Sequence, residues 1–178
     1  MPLTSSIYLI GFMGAGKSTI AEKLAERFEV KYYDIDQHIE EKENKSISSI
    51  FQERGERYFR DKESSTLTSL MEPSIIATGG GILYFPETAE WLKKHGTVIY
   101  LHAPFEELYE RIIHDQTRPV AASRSKGSLN ELFNSRDLAY RDAAHIIVSV
   151  SERSVELTIE DILLSLEKIV DQDTSSMH

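Results

Sequence analysis

Gly11-Phe12-Met13-Gly14-Ala15-Gly16-Lys17-Ser18-Thr19 fits the pattern G-x-x-x-x-G-K-[ST], and its flanks give the pattern meaning. Before it, Ile7-Tyr8-Leu9-Ile10 is a short apolar run suited to a buried strand. After it, Ile20, Ala21, Leu24, Ala25 and Phe28 recur at helical spacing. Strand, glycine-rich loop and helix in that order make a phosphate-binding loop. The glycines let the backbone curl and turn successive N–H groups toward an anion, and a Cβ at Gly11 or Gly16 would obstruct that path. Lys17 supplies a point charge for the outer phosphates and the Ser18 hydroxyl is placed for Mg²⁺. The helix that begins there directs its positive dipole end at the same phosphates.

Downstream of that first helix, Val30-Lys31-Tyr32-Tyr33 reads as a second strand ending in Asp34-Ile35-Asp36. Alternation along an extended segment sends both carboxylates to one side. They are candidates for Mg²⁺ and for a substrate hydroxyl, the alternative being that one Asp caps the helix that follows. Gln37 to Glu43 is helix-forming, Asn44 ends it, and Ser46 opens another helix whose stripe of Ile47, Ile50 and Phe51 closes at Gly55. A further helix over about Glu56 to Leu70 carries Arg57 and Arg60 after Arg54. Glu53, Glu56, Asp61 and Glu63 are near enough in sequence to pair with these arginines on a solvated face. Ser74 to Thr78 is a third strand running into Gly79-Gly80-Gly81, glycines that let backbone approach something closely and expose N–H groups.

Pro86 starts a helix that stops at Gly96, Thr97 to Leu101 is the fourth strand, and Pro104 starts a helix that buries Phe105, Leu108 and Ile112. Asp115 to Gly127 is small, polar and basic, and its length is that of a lid. Ser128-x-x-Glu131 reads as the capping box of the next helix, which carries Arg136, Tyr140 and Arg141. His145 to Val150 is the fifth strand. Val155 to Val170 forms the last helix, and residues 171–178 read as a disordered polar tail. Strands alternating with helices describe one α/β domain over 1–170 with a parallel sheet, in which ligands sit outside the carboxyl ends of the strands. The motifs at Gly11, Asp34 and Gly79 therefore converge on one site.

Composition narrows the function further. The chain has 178 residues, no cysteine and a net charge of −9. That excludes disulfides and thiolate chemistry and speaks against a general nucleic-acid binder. Six histidines are present without a tight metal-type pair. No apolar run reaches the length of a membrane span and the N-terminus lacks a signal-peptide pattern, so the expected location is the cytoplasm.

The phosphate loop, Asp34-Ile35-Asp36, Phe51-x-x-x-Gly55-Glu56-x-x-Phe59-Arg60, Gly79-Gly80-Gly81 and Arg118-Pro119 stand in the order and approximate spacing of shikimate kinases, and the chain resembles that family from about residue 5 to 170. The resemblance implies a three-layer α/β/α fold with a central five-stranded parallel sheet, like that of nucleoside monophosphate kinases. It implies a monomer that transfers phosphate from ATP to the shikimate 3-hydroxyl with Mg²⁺, in aromatic amino-acid biosynthesis. By the same resemblance Gly14, Ala15, Gly16, Lys17, Ser18 and Thr19 cradle the nucleotide phosphates, and Ser18 with Asp34 holds Mg²⁺. Asp36 binds the shikimate hydroxyls, Arg60 and Arg136 bind the carboxylate, and Gly79, Gly80 and Gly81 lie beside the ring. Arg118 swings over the phosphates from the lid, about 115–127, and Arg111 with Arg153 brackets adenine. Where the family reads Arg-x-Pro-Leu-Tyr, this chain has Arg136-Asp137-Leu138-Ala139-Tyr140. Two rival readings are a kinase for another hydroxy acid such as gluconate and a catalytically silent nucleotide-binding regulator.

Overall fold

The computed structural model describes residues 3–114 and 124–175, the last six of these by their backbone alone. β1 (Ser6–Ile10) is buried at every position and lies mid-sheet, so it reads as a continuous apolar run with no alternation. β3 (Ser74–Ala77) and β4 (Gly96–His102) flank it, with β2 (Lys31–Asp34) and β5 (Ile146–Ser149) at the edges, giving the order β2-β3-β1-β4-β5. Every pairing is parallel. Edge strand β5 alternates buried and exposed residues, as one-sided packing requires.

Helices cover both faces of this sheet. α1 (Lys17–Phe28) packs on β2, β3 and the last helix, α7 (Val155–Ser175). α4 (Pro86–His95) packs on β4 and on α6 (Lys126–Ala143), which also meets α5 (Phe105–Ile113). α2 (Ile35–Glu43) packs against α3 (Ile47–Ser69), and Asn44 ends α2 in the left-handed conformation that its sequence position predicts. Gly55, at φ 82° and ψ 170°, breaks α3 into two helical pieces. Ser46 caps its start by accepting the Ser49 N–H at 3.2 Å.

Three boundaries differ from the sequence reading. Helix α2 begins at Ile35, directly after β2, so Asp36 sits in a first helical turn and not on an extended segment with Asp34. The capping serine of α6 is Ser125, whose Oγ accepts the Ser128 N–H at 3.2 Å, so helix displaces the expected lid at Lys126 and Gly127. Ser128 satisfied the capping-box pattern, but a serine three positions earlier already serves the orphan amide. Helix also continues to Ser175, through most of what was read as a polar tail. Residues 115–123, Arg118 among them, lie outside the described residues. No helix among the described residues is long and apolar enough to cross a membrane.

One contact in the sheet is pH-sensitive. The His145 N–H donates to the Val98 carbonyl at 2.9 Å, and the Val98 N–H donates back to His145 Nδ1 at 3.0 Å. Nδ1 can accept only while unprotonated, and burial, with Lys93 nearby, holds the His145 pKa below its usual 6.5. A depressed pKa means that the unfolded chain binds the proton more tightly, so this stability is complete above pH 6.5 and is lost as pH falls through the folded value. In His145→Asn the side-chain oxygen keeps the acceptor without titrating. The wild type is expected to lose about 1 kcal/mol relative to this variant between pH 7.5 and 5, read by denaturant melts at each pH. A constant difference would refute it.

Candidate active site

The phosphate loop leaves the C-terminal end of β1, and its geometry follows from its glycines. Gly16 precedes α1 in the left-handed region at φ 85°, where a side chain is strained. Lys17 is buried, and its Nζ donates to the carbonyls of Gly11 at 2.7 Å and Phe12 at 3.0 Å, folding the ammonium over the loop. Ser18 Oγ donates to Asp34 Oδ2 at 2.5 Å. Asp34 also accepts the Gln37 N–H at 3.1 Å, so one carboxylate both caps α2 and reaches the phosphate loop. The capping alternative therefore holds for Asp34, whose other oxygen faces Ser18.

Glycines 79–81 lie beside that loop, because the Thr78 N–H and hydroxyl both donate to the Leu9 carbonyl, at 3.1 and 2.8 Å. The run makes space for charged side chains of this chain itself. A Cβ on Gly79 would lie within 3.0 Å of Asp36 and Glu63, one on Gly80 would be 3.3 Å from Arg136 Nη1, and one on Gly81 would overlap the Arg60 guanidinium. The Tyr140 hydroxyl donates to the Gly80 carbonyl and ties α6 to the run.

These residues surround a cavity of about 490 Å³ lined by Ser18, Asp34, Asp36, Arg60, Glu63, Gly79 to Gly81 and Arg136, with Met13, Phe51 and Phe59 among its apolar walls. Arg60 is buried, and its guanidinium donates to Glu63 at 2.6 Å and to Glu56 at 3.2 and 3.3 Å. Its guanidinium carbon lies 5.3 Å from the Phe59 ring and 5.8 Å from the Phe51 ring, distances suited to cation–π attraction. The solvated-face reading thus holds for Arg57, which pairs with Asp61 at exposed positions, and fails for Arg60.

Glu63 is the site residue that sequence reasoning missed. Only 2% exposed, it leaves Oε1 without a hydrogen-bond partner among the described residues. Burial pushes its pKa up to about 7, with Arg60 pulling it down and Asp36 pushing it up. A signal was present: Arg60, Glu63 and Leu67 fall at i, i+3 and i+7, one helical face, and all three are buried.

On the other flank of the phosphate loop, Arg111 donates to the carbonyls of Gly14 at 3.2 Å and Val150 at 3.1 Å and pairs with Glu107, joining the loop to the end of β5. Arg153 is half exposed and pairs with Asp161 on α7 at 3.0 Å. No cluster of three or more His, Asp or Glu side chains suited to a metal occurs among the described residues. The hard oxygens of Ser18 and Asp34 nevertheless fit Mg²⁺, which takes one or two protein ligands and completes its shell with phosphate and water.

A parallel sheet with a lysine-bearing phosphate loop at the end of its central strand, and a charged cavity beside it, defines a phosphate-loop kinase with a nucleoside-monophosphate-kinase-like fold. The model of the family described as shikimate kinase matches residues 13–167, and the chain belongs to that family. It is 41% identical over 166 residues to the shikimate kinase of Enterococcus faecalis, a match covering 92% of this chain and 99% of that one. A solved structure of shikimate kinase from Acinetobacter baumannii in complex with shikimate superposes with a TM-score of 0.86 at 34% identity, covering 92% of this chain and 93% of that one. A gluconokinase from Sinorhizobium meliloti shares the fold alone, with a TM-score of 0.59 and 14% identity over the whole of both chains.

Proposed function

We infer that this enzyme transfers the γ-phosphoryl group of ATP to the 3-hydroxyl of shikimate, giving shikimate 3-phosphate and ADP. The observation that carries the reading is a cavity, next to the phosphate loop, whose lining brings Asp36 together with two guanidinium groups, Arg60 and Arg136. A ring acid with several hydroxyls needs that combination: forked donors for its carboxylate and an acceptor for its hydroxyls. A pocket for a neutral polyol would have no use for two buried or half-buried arginines.

In this reading Asp36 accepts a hydrogen bond from the attacking hydroxyl, orients it, and takes its proton late. A strong base is unnecessary when the transition state is loose. Lys17 and the amides of Gly14 to Thr19 bind the nucleotide phosphates, and Ser18 with Asp34 would hold Mg²⁺, which would supply charge neutralisation for the phosphates. Arg111 and Arg153 flank the nucleotide base. Arg118 adds charge at the transferring group, a role that rests on the sequence resemblance. Glu63 holds Arg60 in its forked orientation.

Coupled-enzyme turnover with ATP and a panel of hydroxylated acids tests the proposal. Turnover with shikimate should exceed that with gluconate by at least about 10³-fold in kcat/KM, because gluconate offers no ring for the pocket and leaves buried polar groups unmatched. Preference for gluconate, or ATP binding without turnover of any acid, would replace the reading with one of its two rivals.

A further inference from the structure

We propose that Asp137 is a positioning residue that fixes the direction of Arg136 by tying one turn of α6 to the sheet. The inference rests on the reading of Arg136 as a carboxylate ligand. Between Phe133 and Tyr140 no residue of α6 is buried, and Leu138 in that turn is 66% exposed. Buried Phe133 and Tyr140 hold the two ends of the segment that carries Arg136, but no apolar side chain holds the turn between them. Two polar ties do. The Tyr140 hydroxyl donates to the Gly80 carbonyl, and the Tyr100 hydroxyl, from β4, donates to Asp137 Oδ1 at 2.6 Å. Arg141 Nε donates to the other oxygen, Asp137 Oδ2, at 2.8 Å, so both oxygens are engaged.

The helical repeat explains why this pair of ties sets the aim of Arg136. Residues 136 and 140 stand one above the other, about one turn apart, whereas residue 137 projects about 100° further round the axis. Packing at Leu129, Phe133, Tyr140 and Ala143 seats the helix, and a tie at a different azimuth limits the remaining roll of this turn. The long side chain of Arg136 multiplies any roll into a displacement of its guanidinium, and charge-assisted forks are strict about direction. The rings of Tyr100 and Tyr140 lie 5.1 Å apart, so both ties are anchored in one aromatic contact.

The test is a set of steady-state measurements on purified full-length variants with shikimate and ATP varied separately. Asp137→Ala and Tyr100→Phe are each expected to raise the shikimate KM about tenfold, with the ATP KM and kcat within about twofold of wild type. Asp137→Asn keeps an oxygen for the Tyr100 hydroxyl and should restore most of the loss. Asp137→Ala added to Arg136→Ala should raise the KM no further than Arg136→Ala alone, because Asp137 acts through Arg136. A folded Asp137→Ala enzyme with unchanged shikimate KM, equal losses for both substrates, or additive effects in the double variant would each overturn the proposal. An Arg136→Ala enzyme with unchanged shikimate KM would overturn it too, and that result alone would also remove the assignment of Arg136.

Discussion

Lys17→Met lowers kcat by about 10²–10³-fold while the protein stays folded, because what is lost is charge at the oxygens where the transition state gathers it. Methionine keeps an unbranched stem of similar length, so the buried channel that the side chain occupies stays filled. The carbonyls of Gly11 and Phe12 lose their ammonium donor. That lowers stability by about 1–3 kcal/mol, too little to unfold a domain of ordinary stability. Circular dichroism and thermal melts establish the fold, and steady-state kinetics measures the loss. A folded variant with near-normal kcat would remove Lys17 from the catalytic group.

Arg60→Ala is the second large effect, and it reaches both binding and stability. Acceptor KM is expected to rise by about 10²-fold through loss of charged hydrogen bonds worth about 1.5–3 kcal/mol each, with the ATP KM little changed. The fold also loses the partner of a carboxylate that is only 2% exposed. Breaking a buried pair costs about 3–5 kcal/mol in general, and the lower end is expected here. With its pKa already pushed up to about 7, Glu63 can accept a proton in place of the arginine's charge. The sign of the pH effect follows. A carboxyl whose folded pKa exceeds its unfolded value contributes stability below about pH 4.5 that is lost as pH rises through the folded value. Removing Arg60 raises that folded value further. The melting temperature of Arg60→Ala should therefore fall, relative to wild type, as pH rises from 6 to 8. Glu63→Gln added to Arg60→Ala should remove this pH dependence and leave the KM defect, separating the two roles.

Much of this architecture could be read from residue order. The phosphate loop, the five strands and the convergence of Asp34, Asp36 and the glycine run at strand ends all follow from local patterns, because parallel strands must be bridged by helices and so place their carboxyl ends together. The misses share another origin. Glu63 sits in a helix crowded with charge, where pairing on a solvated face is the ready reading, and its i, i+3, i+7 alignment with Arg60 and Leu67 is the signal that marks a buried face instead. Asp36 was placed correctly at the cavity for the wrong reason, since α2 begins one residue after Asp34 and helical geometry brings it there. Arg136 reaches the site although its helix lacks the Pro-Leu pair of the resembled pattern. The helix runs unbroken through Leu138 and Ala139, and Tyr140 still reaches Gly80. Such long-range ties leave no mark at a fixed sequence spacing.

The glycine run at 79–81 also bears on how this sequence can drift. None of the three residues occupies the left-handed region, and Gly81 has an ordinary φ of −100°, so the backbone conformation itself does not demand glycine. What opposes substitution at Gly79 and Gly81 is volume already taken by other charged groups of the chain, whereas at Gly80 the Arg136 guanidinium would have to give by only a few tenths of an ångström. Every missense change in these three codons adds at least one carbon beside Asp36 and Glu63, Arg136 or Arg60, in that order. Compensation would require the charged partner itself to be replaced, which forfeits the interaction that partner makes. Gly79 and Gly81 and the charged positions around them are thus tied into one inheritance unit that resists stepwise change, while Leu138 and its exposed neighbours on α6 are freer to vary.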